Sequence, residues 1–301
     1  MADTAPLGLL EVRRALAEDR AWDDVTTRLF GGTADRPAEA RFVAEDRLVV
    51  AGVPVVATVF HELDPTATVT AAVSEGSWVD AGTTIVTVRG VAGALLAGER
   101  VALNFLQRLC GVATLTRRTV DAMRGTQARI THTRKTTPGL RALEIYAVEV
   151  GGGVRNRASL ADAILWKDNH WALLAEGGDR NGRSLRDALQ EAPPGIPVIV
   201  EVESEQQLET ALAAGVTHLL IDNQPPEQVG AWSRRAGPAV TIQASGGILP
   251  DSARAYAEAG ASLIAVGALT HSARAAAISC ALEPYSSSSS STSTSGKSTS
   301  A

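Results

Sequence analysis

The chain has 301 residues, of which 45% are hydrophobic and 20% are charged, and its formal net charge is −5. This composition is ordinary for a globular protein, and the acidic balance argues against nucleic acid as a partner. No segment approaches the roughly 20 apolar residues that a membrane-spanning helix requires, so we expect no membrane partner either.

The first predicted element is an amphipathic helix over residues 8–18, and residues 23–27 follow as a loop with helix-capping potential. A signal sequence would need a basic start, an apolar core and a cleavage site here, so we expect no export. Cys110 and Cys280 lie far apart and outside any metal-ligand spacing, which is typical of reduced thiols. We therefore expect a cytoplasmic protein.

Residues 38–90 carry short β-rich runs broken by Gly and Asp, which predict a compact sheet with hairpins. Residues 93–124 place apolar side chains at helical spacing and predict one or two long helices. After that, short apolar runs alternate with amphipathic segments. The predicted strands are ARITHT (128–133), ILWKD (164–168), VIVEVE (198–203), HLLIDN (218–223), VTIQASG (240–246) and SLIAVGA (262–268). The predicted helices are 139–150, 158–163, 182–191, 204–214, 226–235 and 250–259.

Repeated strand–helix units of this kind predict a parallel barrel or a doubly wound sheet. Polar residues stand where several predicted strands end: Lys167, Glu201, Glu203, Asp222 and Ser245. Chemistry in an α/β barrel is built at the carboxyl ends of its strands, so this placement favours the barrel. The Ser/Thr-rich segment 286–301 has no core-forming residue and is predicted to be disordered.

A basic cluster is the most informative feature of the sequence. Five basic residues surround a glycine triplet at 151–153: Arg134, Lys135, Arg155, Arg157 and Lys167. A local basic cluster on an acidic chain indicates a small anionic ligand, and Arg and Lys bind both carboxylates and phosphates. Spacing alone does not show that these residues converge, but Lys167 leaves a buried strand and needs an anionic partner.

Two glycine turns, Ser245-Gly246-Gly247 and Val266-Gly267-Ala268, follow the last two predicted strands. Glycines in these positions let backbone N–H groups face a phosphate at a helix N-terminus. Either motif alone is more simply a tight turn, whereas the pair favours phosphate binding. Glu201 and Asp222 end successive strands, and the pattern leaves open whether they share Mg²⁺ or pair with the basic cluster.

These residues belong to long motifs that resemble the quinolinate phosphoribosyltransferase family. The resemblance runs from about Leu9 to about Ala281. The motifs that carry it are GERVALNFLQRLCGVATLT (98–116), TRKTTPGLR (133–141), LADAILWKDNH (160–170), VEVE (200–203), LIDN (220–223), ASGGI (244–248) and AVGALTHS (265–272).

The resemblance implies an α/β fold, with an N-terminal α/β sandwich domain packed on an incomplete, open α/β barrel. The implied divisions are a sandwich with connecting helices (1–125), a barrel with phosphate loops (126–273), a C-terminal helix returning to the first domain (274–285) and the tail (286–301). The implied reaction transfers phosphoribosyl from phosphoribosyl pyrophosphate to quinolinate, a pyridine dicarboxylate. It is aided by Mg²⁺ and yields nicotinate mononucleotide, pyrophosphate and CO₂.

The family's site residues carry over position by position. Arg134, Arg157 and Lys167 are implied to hold the substrate carboxylates. Arg100 is implied to reach the site of the second subunit in a homodimer with shared active sites. Glu201 and Asp222 are implied to face the ribose and Mg²⁺. The implied phosphate cradle consists of Lys135, Ser245, Gly246, Gly247, Gly267 and His271.

The chain departs from the family pattern only on the acceptor side. His132 replaces an Asp, and Ile145 replaces a Lys. Where the family has Asn-His before the pocket arginine, this chain has Arg155-Asn156, so a His is lost and an Arg is gained. Three hypotheses follow: a quinolinate enzyme in which Arg155 replaces the lost charge, a paralogue acting on another aromatic or heterocyclic carboxylate, and a non-catalytic protein that binds a nucleotide or phosphosugar. The intact phosphate and carboxylate residues disfavour the third.

Overall fold

A computed structural model describes residues 5–176 and 184–285, so the predicted disorder of 286–301 lies outside the described residues. The helices are α1 (Leu9–Glu18), α2 (Val25–Arg28), α3 (Val53–Leu63), α4 (Ala92–Ala122), α5 (Arg141–Val150), α6 (Asp168–Glu176), α7 (Leu185–Gln190), α8 (Glu205–Ala213), α9 (Pro226–Ala236), α10 (Ala253–Glu258) and α11 (Ala268–His271). The strands are β1 (Pro37–Ala44), β2 (Leu48–Val49), β3 (Thr68–Ala71), β4 (Trp78–Val79), β5 (Thr84–Val91), β6 (Arg129–Thr131), β7 (Ile164–Trp166), β8 (Val198–Val202), β9 (His218–Asp222), β10 (Thr241–Ser245), β11 (Leu263–Ala265) and β12 (Ile278–Pro284). None of the helices in these two ranges combines the length and apolar character needed to cross a bilayer.

The N-terminal domain is a four-stranded antiparallel sheet in the order β12-β1-β5-β3, covered by helices. Alternate residues of β1 are buried, because successive side chains of a strand point to opposite faces and one face meets the helices. Phe42 on this face meets Phe60 of α3 edge to face, with ring centroids 6.0 Å apart. This layer is the predicted α/β sandwich.

The second domain is a parallel sheet in the order β6-β11-β10-β9-β8-β7. Its terminal strands β6 and β7 do not pair with each other in the described residues, and a single bridge from Thr131 to Val154 extends the β6 side. The sheet is therefore an open barrel, which confirms the predicted fold class. Because all its strands run in one direction, their carboxyl ends form one rim.

Helix α4 joins the two domains as one helix of 31 residues. It packs on α3 and β12 on one side and on α5 and β6 on the other, so the apolar core runs continuously from Val12 to Ile278. A separate small apolar cluster inside the barrel consists of Ala163, Leu165, Ile199 and Leu220. This cluster lies beneath the rim and closes the barrel interior below it.

The segment 38–90, predicted as a sheet with hairpins, also contains a helix that was not predicted, because residues 53–63 form α3. The Val-rich run has the composition of a strand, but Pro54 occupies the first helical turn. Glu75 accepts hydrogen bonds from the N–H groups of Gly52 (2.9 Å) and Val53 (2.8 Å), two groups that a helix start leaves without internal partners. Burial on the sheet outweighs the strand propensity of the β-branched side chains.

The predicted helix at 274–285 is wrong. Residues 278–284 form β12, which pairs antiparallel with β1 from Ala44–Ile278 to Ala38–Pro284. The predicted helix at 158–163 is instead a bend. There Asp162 accepts hydrogen bonds from the backbone N–H groups of Ala158 (2.8 Å) and Ser159 (3.0 Å) and so replaces the helical pattern. Sequence analysis missed α6, because its first residue ends the predicted strand 164–168.

Candidate active site

A cavity of about 430 Å³ opens at the rim of the barrel. Four of the five residues in the predicted basic cluster line it: Arg134, Lys135, Arg157 and Lys167. Arg134 and Lys135 follow β6, Lys167 follows β7, and Arg157 lies in the segment between these two strands. The open edge of the barrel therefore collects the positive charge that the sequence spreads over more than 30 residues.

None of these four cations forms an ion pair within residues 5–176 and 184–285. Arg134 Nε is buried and has no hydrogen-bond partner among the described residues, which is costly unless a ligand supplies one. Burial, followed by the charge of Arg134, lowers the pKa of the Arg157 guanidinium. Uncompensated positive charge in a partly enclosed cavity favours an anionic ligand with several oxygens.

Three carboxylates lie on the adjacent part of the rim. Glu201, Glu203 and Asp222 each bring an oxygen within 4.8 Å of the others. Burial, followed by the charge of Asp222, raises the pKa of Glu201, while Lys167 acts in the opposite direction. A divalent cation would relieve this repulsion, and a set of oxygen donors alone fits Mg²⁺. The metal site predicted from the sequence consisted of Glu201 and Asp222 and did not include Glu203.

The turn after β10 fits closely against this carboxylate group. Gly246 has φ +88°, and a Cβ atom there would lie 2.3 Å from Asn223 Oδ1, so only glycine fits. The Asn223 N–H donates to the carbonyl of Ser245 (3.1 Å), and its side-chain amide donates to Asp222 Oδ2 (2.7 Å). The predicted phosphate turn and the carboxylates are therefore one connected unit.

The turn after β11 brings Lys135 and His271 together. A Cβ atom on Gly267 would lie 3.1 Å from His271 Nε2 and 3.4 Å from Lys135 Cδ. Ser272 Oγ lies 2.6 Å from His271 Nδ1, which leaves Nε2 as the ring nitrogen that faces Gly267. An ammonium group, an imidazole and a glycine turn at one point suit a phosphate.

His132 lies behind the cavity rather than in its lining. Its ring is fully buried, Nδ1 lies 3.2 Å from the Thr133 carbonyl oxygen, and Nε2 accepts a hydrogen bond from the Asn156 N–H at 3.0 Å. Burial lowers the pKa of His132, so the ring is neutral and able to accept. His132 thereby fixes Asn156, which lines the cavity and whose Oδ1 accepts a hydrogen bond from the Arg157 N–H (2.8 Å).

Three other residues from the sequence analysis do not line the cavity. Arg155 forms a two-pronged ion pair with Glu149 (3.0 and 2.8 Å), so it does not replace a missing charge there. Ile145 is buried in the core of the protein. Arg100 is exposed on α4, where it lines a different groove together with Asp19 and Leu96.

Several lining residues were not identified from the sequence: Thr133, Leu165, Asp168, Leu220, Asn223, Gln243 and Ala265. Three of them lie two positions before a predicted strand-end residue: Leu165 before Lys167, Leu220 before Asp222 and Gln243 before Ser245. Residues two apart on a strand share a face, so stepping along each strand by two would have found them. Gln243 is buried at the bottom of the cavity, where its Oε1 lies 3.0 Å from His218 Nε2.

Comparisons with known proteins agree with this geometry. The family model "Quinolinate phosphoribosyl transferase, N-terminal domain" matches residues 24–110, and the corresponding C-terminal domain model matches residues 112–281. A nicotinate-nucleotide pyrophosphorylase [carboxylating] from Mycobacterium leprae is 41% identical over 87% of this chain and 93% of its own length. A probable enzyme of the same name from Bacillus subtilis is 38% identical over 87% of this chain and 89% of its own. The crystal structure of NadC from Streptococcus pyogenes superposes with a TM-score of 0.85 at 33% identity, covering 95% of this chain and 100% of that one.

Proposed function

This chain belongs to the quinolinate phosphoribosyltransferase family, and we propose that it transfers phosphoribosyl from phosphoribosyl pyrophosphate to quinolinate. It is a pentosyltransferase of the nicotinate-nucleotide pyrophosphorylase (carboxylating) type. The products are nicotinate mononucleotide, pyrophosphate and CO₂, which makes the reaction a step of NAD biosynthesis.

The observation that carries the proposal is the set of four cations in the rim cavity that form no ion pair with any residue of 5–176 or 184–285. Arg134, Arg157 and Lys167 bind the two carboxylates of quinolinate, and Lys135 binds a phosphate of the donor. Positive charge held in place also stabilises the negative charge that develops as CO₂ leaves. Binding two anionic substrates side by side supplies orientation, and the transfer needs no covalent nucleophile.

We propose that Glu201, Glu203 and Asp222 hold Mg²⁺ at the donor side of the cavity. The separation of their oxygens and the raised pKa of Glu201 support a cation at this position. Bound there, Mg²⁺ would neutralise the pyrophosphate leaving group.

We further propose a cytoplasmic homodimer in which Arg100 of each subunit enters the cavity of the other. Arg100 is exposed and lies outside the cavity of its own chain, which supports a role that needs a second copy. The same helix face exposes Leu96, and the neighbouring segment exposes Trp22, Leu29 and Phe30, apolar side chains suited to burial between subunits. Cys110 and Cys280 are free thiols, as expected in a reducing compartment.

The names of the relatives support quinolinate as the acceptor and give no support to a different carboxylate or to a silent binding protein. The placement of the altered residues agrees with this reading. His132 and Ile145 lie outside the cavity and Arg155 is paired with Glu149. Asn156 is the altered residue that lines the cavity, and the four cavity cations are unchanged.

The test is to incubate the purified protein with phosphoribosyl pyrophosphate, Mg²⁺ and quinolinate while following pyrophosphate, CO₂ and the mass of the product. Nicotinate mononucleotide is the expected product, and Lys135→Ala should abolish its formation. Turnover with another pyridine or heterocyclic carboxylate but not with quinolinate would refute the proposed acceptor. Tight binding of phosphoribosyl pyrophosphate with no turnover of any acceptor would favour a binding protein.

A further inference from the structure

We propose that Thr270 is a positioning residue for the donor phosphate: its hydroxyl group, backed by Arg108 and Glu144, sets the separation between Lys135 and His271. The proposal rests on the proposed function, since it assumes that these two side chains bind the phosphoribosyl donor. Thr270 itself lies outside the lining of the cavity and is fully buried.

The hydroxyl group of Thr270 connects two loops that are far apart in sequence. It donates to the carbonyl oxygen of Lys135 at 2.8 Å, and the carbonyl oxygen of Gly267 lies 3.1 Å away. Lys135 follows β6 and Thr270 belongs to α11, which follows β11, the neighbouring strand of the sheet. The hydrogen bond therefore fixes the backbone of the lysine against the turn at Gly267, where an added Cβ atom would lie 3.4 Å from Lys135 Cδ and 3.1 Å from His271 Nε2.

Arg108 holds the same loop from behind. Its guanidinium group donates to the carbonyl oxygens of Thr270 and Ala273, the latter at 2.7 Å, and to Glu144. The three bonds use the planar fork of arginine, whose geometry lysine cannot reproduce. Because Arg108 comes from α4, the long helix that joins the domains, the position of this loop is set by the rigid part of the fold.

Glu144 completes the connection back to the lysine loop. Its carboxylate is fully buried and accepts from Arg108 Nε (3.0 Å), from the Thr137 hydroxyl (2.7 Å) and from the Thr137 N–H (3.0 Å). Thr137 lies two residues after Lys135. Both loops of the phosphate cradle are thus tied to one ion pair, between the fully buried Glu144 and the partly buried Arg108, and the Thr270 hydroxyl joins the two loops directly.

If the Thr270 hydroxyl only filled space, its removal would lower the stability of the protein and nothing else. If it positions the phosphate cradle, its removal weakens binding of the donor and leaves binding of the acceptor unchanged. The acceptor residues Arg134, Arg157 and Lys167 make no contact with Thr270 in the described hydrogen bonds. Loss of the hydroxyl should therefore weaken binding of phosphoribosyl pyrophosphate and leave that of quinolinate unchanged.

The experiment compares Thr270→Ala with Thr270→Ser, because serine keeps the hydroxyl that alanine removes. Thr270→Ala should raise the KM for phosphoribosyl pyrophosphate about tenfold, with the KM for quinolinate within about twofold of wild type. Thr270→Ser should restore the donor KM to near the wild-type value. Calorimetric binding of pyrophosphate, which needs no turnover, should show the same order of affinities.

Thr58→Ala is the matched control. The Thr58 hydroxyl also lies between two carbonyl oxygens, those of Leu7 (3.1 Å) and Pro54 (3.0 Å), and is buried far from the cavity. Thr58→Ala should lower the stability of the protein without changing the KM for phosphoribosyl pyrophosphate or for quinolinate. If Thr270→Ala does not fold, Arg108→Lys tests the same connection and should shift the donor KM in the same direction.

Equal donor affinity in the alanine and serine variants would overturn the positioning role, as would a parallel rise in both KM values or the same shift in the Thr58 control. Failure of the wild-type enzyme to use quinolinate is a separate outcome. It would refute the proposed function, and the pyrophosphate titrations would still decide whether Thr270 sets the phosphate site.

Discussion

Arg155 and Arg157 are two residues apart and have opposite environments. Arg157 lines the cavity without an ion-pair partner among the described residues, whereas Arg155 is paired with Glu149 and exposed. We expect Arg157→Met to reduce kcat/KM for quinolinate on the order of 100-fold, since it removes a charged partner of a bound carboxylate. Arg155→Met should change it little, because a surface ion pair contributes at most about 1 kcal/mol. Steady-state kinetics of both variants decide this, and equal losses would contradict the cavity assignment.

His132 gives the folding free energy a defined pH dependence. Burial lowers the pKa of this ring in the folded protein below its ordinary value of 6.5. As pH falls below about 6.5, His132 is protonated in the unfolded chain but stays neutral in the folded chain, so the free energy of unfolding decreases. The slope is at most about 1.4 kcal/mol per pH unit for each such histidine, and burial lowers the pKa of His218 in the same direction.

Urea unfolding of wild type and His132→Gln over this pH range measures the effect. The variant should lose less stability on acidification than wild type, because one of the two depressed histidines is gone. Parallel pH curves for the two proteins would show that His132 does not titrate in this way. Loss of activity through His132 should begin at a lower pH than the loss of stability, because burial lowers the pKa of the folded ring and Nε2 keeps accepting the hydrogen bond that fixes Asn156 beside Arg157 until that lower pH.

At the scale of elements, the contact between α4 and the segment before β12 depends on a missing side chain. A Cβ atom on Gly111 would lie 2.0 Å from the carbonyl oxygen of Arg274. We expect Gly111→Ala to lower the free energy of unfolding by about 3 kcal/mol, because the segment must move away from the helix. Gly93→Ala, in the first turn of the same helix, has its nearest neighbour at 3.3 Å and should change stability by less than about 1 kcal/mol. Denaturant unfolding of both variants provides the measurement, and similar values would argue against the close packing.

The elements that sequence predicted correctly are those whose pattern is set locally. The barrel strands β8, β9 and β10 are short apolar runs ending in polar residues. The apolar spacing of 93–124 predicted one or two long helices, and the structure has one, α4. Helix α3 was not predicted and β12 was predicted as a helix, because distant partners decide both elements: α3 is capped by Glu75 and buried on the sheet, and β12 completes an edge of a sheet formed by residues 37–91. Local propensity contains no information on either partner.

The site shows the same division between local and distant information. Strand ends identified Lys167, Glu201 and Asp222, and the open barrel brings them together with the cations after β6. The role of His132 behind Asn156 depends on a hydrogen bond across 24 residues, which no spacing rule predicts. Arg155 was misjudged because its partner Glu149 lies on α5, on the outer side of the loop.

At the scale of the whole molecule, the shared site of the proposed dimer makes subunit mixing informative. Arg100→Ala and Arg157→Met should each be nearly inactive. A mixture refolded together should regain roughly a quarter of the wild-type activity, because half the dimers are mixed and each has one intact site. Arg157→Met mixed with Lys167→Met should regain none, since both residues belong to the cavity of the same subunit. Absence of recovery in the first mixture, with mixed dimers present, would show that Arg100 does not act across subunits.

The position of β12 in the N-terminal sheet affects how this protein folds during its synthesis on the ribosome. The sheet that begins with residue 37 has its outer strand supplied by residues 278–284, which are translated only after the whole barrel. The N-terminal domain emerges first but cannot complete its sheet, because β1 lacks its partner β12 until the end of synthesis. The barrel domain emerges later but already contains all its strands and can fold. The domain that is synthesised first is therefore completed last. Nascent chains halted before residue 278 should expose the unpaired edge of β1 and bind chaperones.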